Sequence, residues 1–219
     1  MGAPELKFCG LTRAEDARAA AELGAAYVGV IFAGGPRRLD VPAAERVLRG
    51  VETTSVQRVG VFGPSQDVGT IIEISHALGL DVVQLHDSGT ADRTLMLRER
   101  FFGAIWVVLG VNGATFQGVP VNVDRSMDAF VLDTAVGGRS GGTGVTFDWA
   151  GVAPAVAALR TTHRIVLAGG LRPSNVREAV RTLAPHVVDV SSGVESAPGI
   201  KDPELMRAFA VAARSPEER

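Results

Sequence analysis

Eight short apolar segments, rich in β-branched residues, recur along the 219-residue chain. Each segment is almost continuously apolar, which is typical of strands that are covered on both faces in a parallel sheet. The predicted strands span residues 6–10, 26–32, 57–62, 81–86, 104–110, 129–134, 164–170 and 187–193. The chain is therefore predicted to fold around a mainly parallel sheet.

Longer segments, in which apolar residues recur with helical spacing, separate these strands. Thr12 and Ser65 are predicted to cap the helices after the first and third strands, and Pro173 to stand in the first turn of the helix after the seventh. The last helix is predicted over about 202–213. The segment 111–128 shows little helical pattern, so the fifth helix is predicted to be short or irregular.

Strands and helices that alternate in this way predict an α/β protein, a single (β/α)8 TIM barrel over 1–219 with a short polar tail from about 214. A doubly wound sheet is the main alternative. The barrel is favoured because polar residues gather where the predicted strands end, among them Cys9, His86 and Asp133. In a barrel, these strand ends form the face that carries the active site.

The composition argues against several classes of protein. The formal net charge of −2 gives no electrostatic basis for binding nucleic acid. The single cysteine forms no internal disulfide, which fits the cytoplasm, and neither a secretory signal nor a bilayer-spanning segment is recognisable. The four histidines lack a metal-binding spacing. We therefore expect no metal, no cofactor and no membrane partner, and either a monomer or a homodimer.

Two turns built from small residues follow the last two predicted strands. Gly169 and Gly170 come after the seventh strand, and Ser192 and Gly193 after the eighth. Glycine lets an anion approach backbone N–H groups closely, and in barrels these two loops form the usual phosphate site. They predict a small phosphorylated substrate. A third glycine-rich loop, 137–144, lacks the P-loop pattern and is predicted to be a flexible lid.

Taken alone, the two side chains best suited to proton transfer have two interpretations each. Cys9, the only cysteine, is either a small buried apolar residue or a base at a strand end. Asp133 is either a turn cap or an acid at the barrel mouth. Neither residue decides the question by itself.

Several motifs, taken together, resemble one family. They are KFCGLT, the PRR after IFAGG, VQLH, VLDT, GGTGVTFDW, LAGGLRPSNV and DVSSGVES-PG-KD. In this combination the chain resembles the phosphoribosylanthranilate isomerases of tryptophan biosynthesis. The resemblance implies a cofactor-free barrel enzyme. It also implies an Amadori rearrangement of N-(5-phosphoribosyl)anthranilate to 1-(2-carboxyphenylamino)-1-deoxyribulose 5-phosphate.

The resemblance also implies roles for individual residues. Asp133 matches the general acid that opens the ribose ring, and Cys9 matches the general base that removes the C2′ proton. Arg37 matches the position expected to meet the substrate carboxylate, for which a guanidinium is well suited. His86 and Asp189 match polar residues that line the family's pocket.

Two positions depart from the family's common sequence: Gly35 gives GPR in place of SPR, and Asp87 gives VQLHD in place of VQLHG. A carboxylate at position 87 would stand near the barrel mouth and repel an anionic substrate. Two other functions are considered. One is the related phosphosugar isomerase of histidine biosynthesis, against which Cys9 argues because those enzymes have an acid at the first strand. The other is a barrel that binds a phosphorylated ligand without catalysis.

Overall fold

The computed structural model describes residues 2–86, 91–117, 126–136, 139–140 and 146–215 of the chain. Eight parallel strands form the centre of the fold, as the sequence predicted. They are β1 Glu5–Phe8, β2 Tyr27–Ile31, β3 Gln57–Phe62, β4 Val82–Leu85, β5 Ala104–Asn112, β6 Ala129–Val136, β7 Arg164–Leu167 and β8 Val187–Val190.

The eight strands close into a barrel. Each pairs in parallel with its neighbours in chain order, from β1–β2 through to β7–β8. The ring is completed by β1 and β8, whose register places Lys7 opposite Asp189 and Phe8 opposite Val190. An open, doubly wound sheet has no pairing between its first and last strands, so that alternative is wrong.

Helices follow most of the strands and cover the outside of the barrel. They are α1 Ala14–Glu22, α2 Val41–Leu48, α3 Val68–Leu78, α4 Ala91–Arg98, α5 Trp149–Leu159, α6 Val176–Leu183 and α7 Pro203–Arg214. The last helix begins where it was predicted, because the Asp202 carboxylate accepts hydrogen bonds from the N–H groups of Glu204 and Leu205. Among the described residues, no helix is long and apolar enough to span a membrane.

The predicted cap of the first helix is wrong. Arg13 is the residue before α1, and it makes no side-chain cap hydrogen bond. The Thr12 hydroxyl instead donates to the carbonyl of Gly199 at 2.5 Å. Thr12 therefore ties the loop after β1 to the loop before α7, a long-range contact that local sequence spacing does not reveal.

The predicted starts of two other helices are also wrong. In α3 the cap is Asp67 and not Ser65, because the Asp67 carboxylate accepts a hydrogen bond from the Thr70 N–H at 2.9 Å. Pro173 lies before α6, whose first residue is Val176, because the intervening residues make a turn that extends the loop after β7.

Of the strands that are shorter than predicted, β7 and β8 differ most from the prediction. β7 ends at Leu167 and β8 at Val190, because Gly169 and Gly170 have left-handed backbones with φ of +79° and +68°, and a short 3-10 turn begins at Ser192. After β5, the short strand Thr115–Gln117 folds back antiparallel on the end of β5. Most of the predicted lid 137–144, residues 118–125, the departure at Asp87 and the end of the polar tail lie outside the described residues.

Two apolar clusters stabilise the barrel. One lies between the strands and the helices, where for example the rings of Phe8 and Phe209 meet edge to face with centroids 6.2 Å apart. The other fills the amino-terminal part of the barrel interior around Tyr27 and Trp106, whose centroids are 4.8 Å apart. Apolar side chains therefore fill the barrel interior at the amino-terminal ends of the strands, so a cavity can form only at their carboxyl ends.

Candidate active site

A cavity of about 430 Å³ opens at the carboxyl ends of the strands. This is the face on which barrel enzymes carry their active sites. The structure brings every site residue predicted from the sequence to its wall. These residues are Cys9, Arg37, His86, Asp133, Gly169, Gly170, Asp189, Ser192 and Gly193.

Cys9 follows directly after β1, and its backbone N–H donates to the Val190 carbonyl at 2.9 Å. Its side chain is 6% exposed and lies against Gly29 of β2, where an added Cβ would come within 2.8 Å of the sulfur. Gly29 therefore makes room for the thiol. Burial raises the pKa of Cys9 above its ordinary value, while the ammonium of Lys7 acts in the opposite direction.

Asp133 lies across the cavity, near the end of β6, and is 6% exposed. Its Oδ1 accepts a hydrogen bond from the Thr134 N–H at 2.8 Å. Burial raises the pKa of the Asp133 carboxyl, although the nearby His86 lowers it. A carboxyl in this environment favours its protonated form, as a general acid requires.

A buried ion pair below Cys9 was not predicted. Lys7, completely buried, donates to Asp189 Oδ2 at 2.6 Å. Neither a role for this lysine nor a partner for Asp189 was predicted from the sequence. The alternation of Lys7 and Cys9 on one strand was a usable signal, since residues two apart on a strand face the same side.

Arg37 lines the cavity, but its guanidinium is already engaged by a carboxylate. Its Nε and Nη2 donate to the two oxygens of Glu195 at 2.7 and 2.6 Å. The buried Lys201 donates to the same carboxylate at 2.8 Å and to the Ser191 carbonyl at 3.0 Å. Hydrogen bonding to Glu195 raises the pKa of Arg37. Glu195 and Lys201 were missed as individual residues, although both lie in the quoted motif DVSSGVES-PG-KD.

The loops after β7 and β8 pack closely against each other. A Cβ added at Gly193 would lie 1.9 Å from the Leu171 carbonyl oxygen, so only glycine fits there without a shift. Asn175 holds the first of these loops, because its Nδ2 donates to the Gly170 carbonyl at 3.0 Å and its Oδ1 accepts from the Arg172 N–H at 2.8 Å. The two loops form a glycine-rich concavity of the kind that binds phosphate.

Three buried polar atoms in or beside the cavity have no hydrogen-bond partner among the described residues. They are Gln84 Oε1, Asp189 Oδ1 and Ser191 Oγ. Buried polar atoms are normally paired, so unpaired ones that border a cavity suggest groups that a ligand completes. No role was predicted for Gln84 from the sequence.

The fold and the site define a class of protein: a (β/α)8 barrel whose polar, partly unpaired side chains meet in a cavity at the carboxyl ends of the strands. Over residues 6–212 the chain matches the family described as N-(5'phosphoribosyl)anthranilate (PRA) isomerase. The chain belongs to this family, and the resemblance read from its motifs is confirmed.

Relatives and solved structures agree with this assignment. The N-(5'-phosphoribosyl)anthranilate isomerase of Syntrophus aciditrophicus (strain SB) is 41% identical over 211 residues, which cover 96% of this chain and 87% of that protein. The crystal structure of the phosphoribosyl anthranilate isomerase from Thermus thermophilus has a TM-score of 0.80 at 32% identity and covers 95% of this chain and 97% of its own.

A third similar structure contains a ligand. It is a phosphoribosyl anthranilate isomerase in complex with reduced 1-(O-carboxyphenylamino)-1-deoxyribulose 5-phosphate. Its TM-score is 0.77 at 30% identity, and the match covers 96% of this chain and 98% of that one. The barrel predicted from the sequence is thus the fold of the family's solved structures.

Proposed function

We propose that this chain catalyses the rearrangement of N-(5-phosphoribosyl)anthranilate in tryptophan biosynthesis, with Asp133 as general acid and Cys9 as general base. The observation that carries the proposal is that both side chains line one cavity, together with the two glycine-rich loops expected to hold phosphate. Family membership supports the substrate. The two roles are supported by position and burial.

The first step is opening of the ribose ring. The Asp133 carboxyl donates its proton to the ring oxygen, the bond from that oxygen to C1′ breaks, and the anilino nitrogen supplies the electron pair that forms the iminium. Burial keeps this carboxyl protonated to a higher pH than an exposed aspartate, because its pKa is raised. A positioned acid of this kind typically contributes about 10²–10⁴-fold in rate.

The second step is removal of the C2′ proton. The iminium makes this proton acidic, so the Cys9 thiolate takes it and the electron pair of the C–H bond forms the C1′–C2′ double bond. The resulting enolamine then gains a proton at C1′ and loses the hydroxyl proton at C2′, which gives the ketone. Proton exchange with solvent through the open cavity restores Cys9 and Asp133 for the next turnover.

The substrate's polar groups match the rest of the cavity. Its phosphate is suited to the concavity formed by Gly169, Gly170, Ser192 and Gly193, where the three glycines carry no side chain that could cover the backbone N–H groups. Hydroxyl groups of the opened ribose are suited to donate to Asp189 Oδ1 and other unpaired oxygens at the wall. His86, which interacts electrostatically with Asp133, completes the polar wall on that side.

Arg37 is proposed to bind the anthranilate carboxylate. Among the described residues its Nε and Nη2 each donate one hydrogen bond to Glu195, which leaves two N–H groups on Nη1 and one on Nη2 available for a ligand. A carboxylate that accepts from one nitrogen gains a charge-assisted hydrogen bond, which corresponds to about 1.5–3 kcal/mol. Glu195 fixes the guanidinium plane, so Arg37 does not have to be ordered when substrate binds.

The role of Arg37 is tested by comparing two substrates and two arginines. Arg37→Ala is expected to lower kcat/KM roughly ten- to a hundredfold for the true substrate, and much less for an analogue without the carboxylate. Arg38→Ala is the matched control, because Arg38 is exposed and does not line the cavity. Equal losses on both substrates would show that Arg37 supports the loop and does not bind the carboxylate.

The activity itself is tested with purified protein and two phosphosugar substrates. We expect turnover of N-(5-phosphoribosyl)anthranilate and little turnover of the corresponding substrate of histidine biosynthesis. The gene is also expected to restore growth without tryptophan to a strain that lacks this isomerase. Binding of the anthranilate compound without turnover would instead identify a non-catalytic ligand-binding barrel. A single domain, a cytoplasmic location and a monomer or homodimer remain predictions.

A further inference from the structure

Lys7 is a completely buried lysine in the barrel interior that the steps above do not use. It faces the same side of the chain as Cys9, which lies two residues later, directly after the end of β1. A buried ammonium is costly unless it is paired, so its position needs an explanation. Among the described residues, its ammonium donates a hydrogen bond to Asp189 on the neighbouring strand β8 at 2.6 Å.

We propose that Lys7 is a positioning residue that stabilises the thiolate form of Cys9. The inference rests on the proposed role of Cys9 as base. A base must be available as a thiolate, and a thiol that is 6% exposed is poorly solvated in that form. The positive charge of the Lys7 ammonium lowers the pKa of Cys9, so it can take the place of the missing water in stabilising the thiolate.

The other cations near Cys9 are less suited to this role. Lys201 and Arg37 both act on the thiol through their charge. Both are held at the Glu195 carboxylate, Lys201 at 2.8 Å and Arg37 in bidentate fashion. The charge of Lys7 lowers the pKa of Cys9 more than the charge of Lys201 does.

Asp189 opposes Lys7 in its effect on Cys9. Its carboxylate keeps Lys7 charged, but its own negative charge disfavours a second anion at Cys9. While Cys9 is protonated, the Lys7 ammonium interacts with one anion, the Asp189 carboxylate. When the Cys9 thiolate forms, the ammonium interacts with both anions. This arrangement predicts that removal of Lys7 and removal of the Asp189 charge shift the titration of Cys9 in opposite directions.

The test uses the single cysteine of the chain. The rate of alkylation of Cys9 by iodoacetamide is measured against pH without substrate, in the full-length wild type and its variants. In Lys7→Met the midpoint is expected to rise by about one pH unit or more, and in Asp189→Asn to fall. Lys201→Met is the matched lysine control, for which we expect a smaller rise.

The variants also keep the proposal testable if one of them does not fold. Lys7→Met leaves Asp189 unpaired, so the double variant Lys7→Met/Asp189→Asn is prepared as well and is expected to keep a midpoint above that of Asp189→Asn alone. Opposite shifts of the midpoint in the two single variants support the proposal. A midpoint in the double variant that lies above that of Asp189→Asn alone also supports it. A midpoint that is the same with and without Lys7 overturns it, and Lys7 then serves only as the partner of Asp189.

The alkylation result is independent of whether Cys9 acts in catalysis. If the midpoint shifts as expected but Cys9→Ala retains full turnover, the proposed function of Cys9 fails while the Lys7–Cys9 coupling stands. If Cys9→Ala is inactive but Lys7→Met leaves the midpoint unchanged, the coupling fails and the base assignment stands.

Discussion

Strand β6 places two inward-facing residues in contrasting surroundings. Val131 packs in the apolar cluster around Trp106 at the amino-terminal end of the barrel, whereas Asp133, two residues later, lines the cavity. On β8, Val187 and Asp189 repeat the difference. The same strand periodicity therefore fills one end of the barrel with apolar side chains and lines the other with polar ones.

The difference has an energetic meaning. Apolar burial stabilises the fold by about 25 cal/mol per Å² of buried area, so the amino-terminal end contributes to the free energy of unfolding. Burying polar and charged groups costs free energy unless they are paired, and some atoms at the carboxyl end lack a partner among the described residues. Substitutions at the first end should therefore lower stability, and substitutions at the second should lower catalysis.

The largest expected effect at the polar end is that of Cys9→Ala. We expect kcat to fall by at least about 10²-fold, because the base for the C2′ proton is lost. The free energy of unfolding should change little, since the substitution removes only one atom at the cavity wall. Steady-state kinetics and urea unfolding on the same preparation measure both quantities. Turnover within threefold of wild type in a folded Cys9→Ala variant would remove Cys9 from the mechanism.

At the apolar end, Trp106→Ala is expected to lower the free energy of unfolding by about 3–5 kcal/mol. The indole is 2% exposed and packs edge to face on Tyr27, so its removal leaves a large cavity. At temperatures where the variant is folded, kcat should remain close to that of wild type. Phe102→Ala, which removes a ring that is 94% exposed, is the control and should leave stability nearly unchanged.

A smaller effect is expected at the phosphate loops. The Cβ of Gly193→Ala would meet the Leu171 carbonyl, so the loop after β8 must shift away from the loop after β7. We expect KM to rise roughly tenfold, equivalent to about 1.4 kcal/mol of binding free energy. Gly2→Ala is the control, because an added Cβ there meets nothing within 4 Å and Gly2 does not line the cavity. An unchanged KM for Gly193→Ala would place the phosphate elsewhere.

The apolar end was largely predictable from the sequence, and so was the fold. Strands such as the one around Val131 are continuously apolar, and this pattern alone indicates burial on both faces. Helix starts were predicted less well. Thr12 donates a hydrogen bond to the carbonyl of Gly199, near the other end of the chain. The two residues meet only because the barrel closes, so the residues next to Thr12 in the sequence do not indicate this partner.

At the polar end, site residues were predicted only where they belong to a recognisable sequence motif. Cys9 and Asp133 were assigned roles because their motifs resemble a family, and the glycines because they follow the last two strands; all of them line the cavity. The partners of these residues were not found. Lys7 meets Asp189, and Arg37 meets Glu195, only because the barrel closes between β1 and β8. Such pairings across more than a hundred residues leave no local trace in the sequence.

Electrostatics distinguishes the two ends further. The raised pKa of Asp133 means that the folded protein holds this proton more tightly than the unfolded chain. Its contribution to stability is thus fully present below the ordinary aspartate pKa of 3.8 and is lost as the pH rises through the higher folded value. Asp133→Asn cannot ionise, so at neutral pH it should be at least as stable as wild type.

The most direct test of this division compares Val131→Ala with Asp133→Asn, two substitutions on one strand. Turnover and the free energy of unfolding are measured for both at neutral pH. We predict that Val131→Ala loses about 1–3 kcal/mol of stability and keeps its kcat, whereas Asp133→Asn keeps or gains stability and loses at least about 10²-fold in kcat. Retained turnover in a folded Asp133→Asn variant, or its loss in Val131→Ala at unchanged stability, would contradict the account.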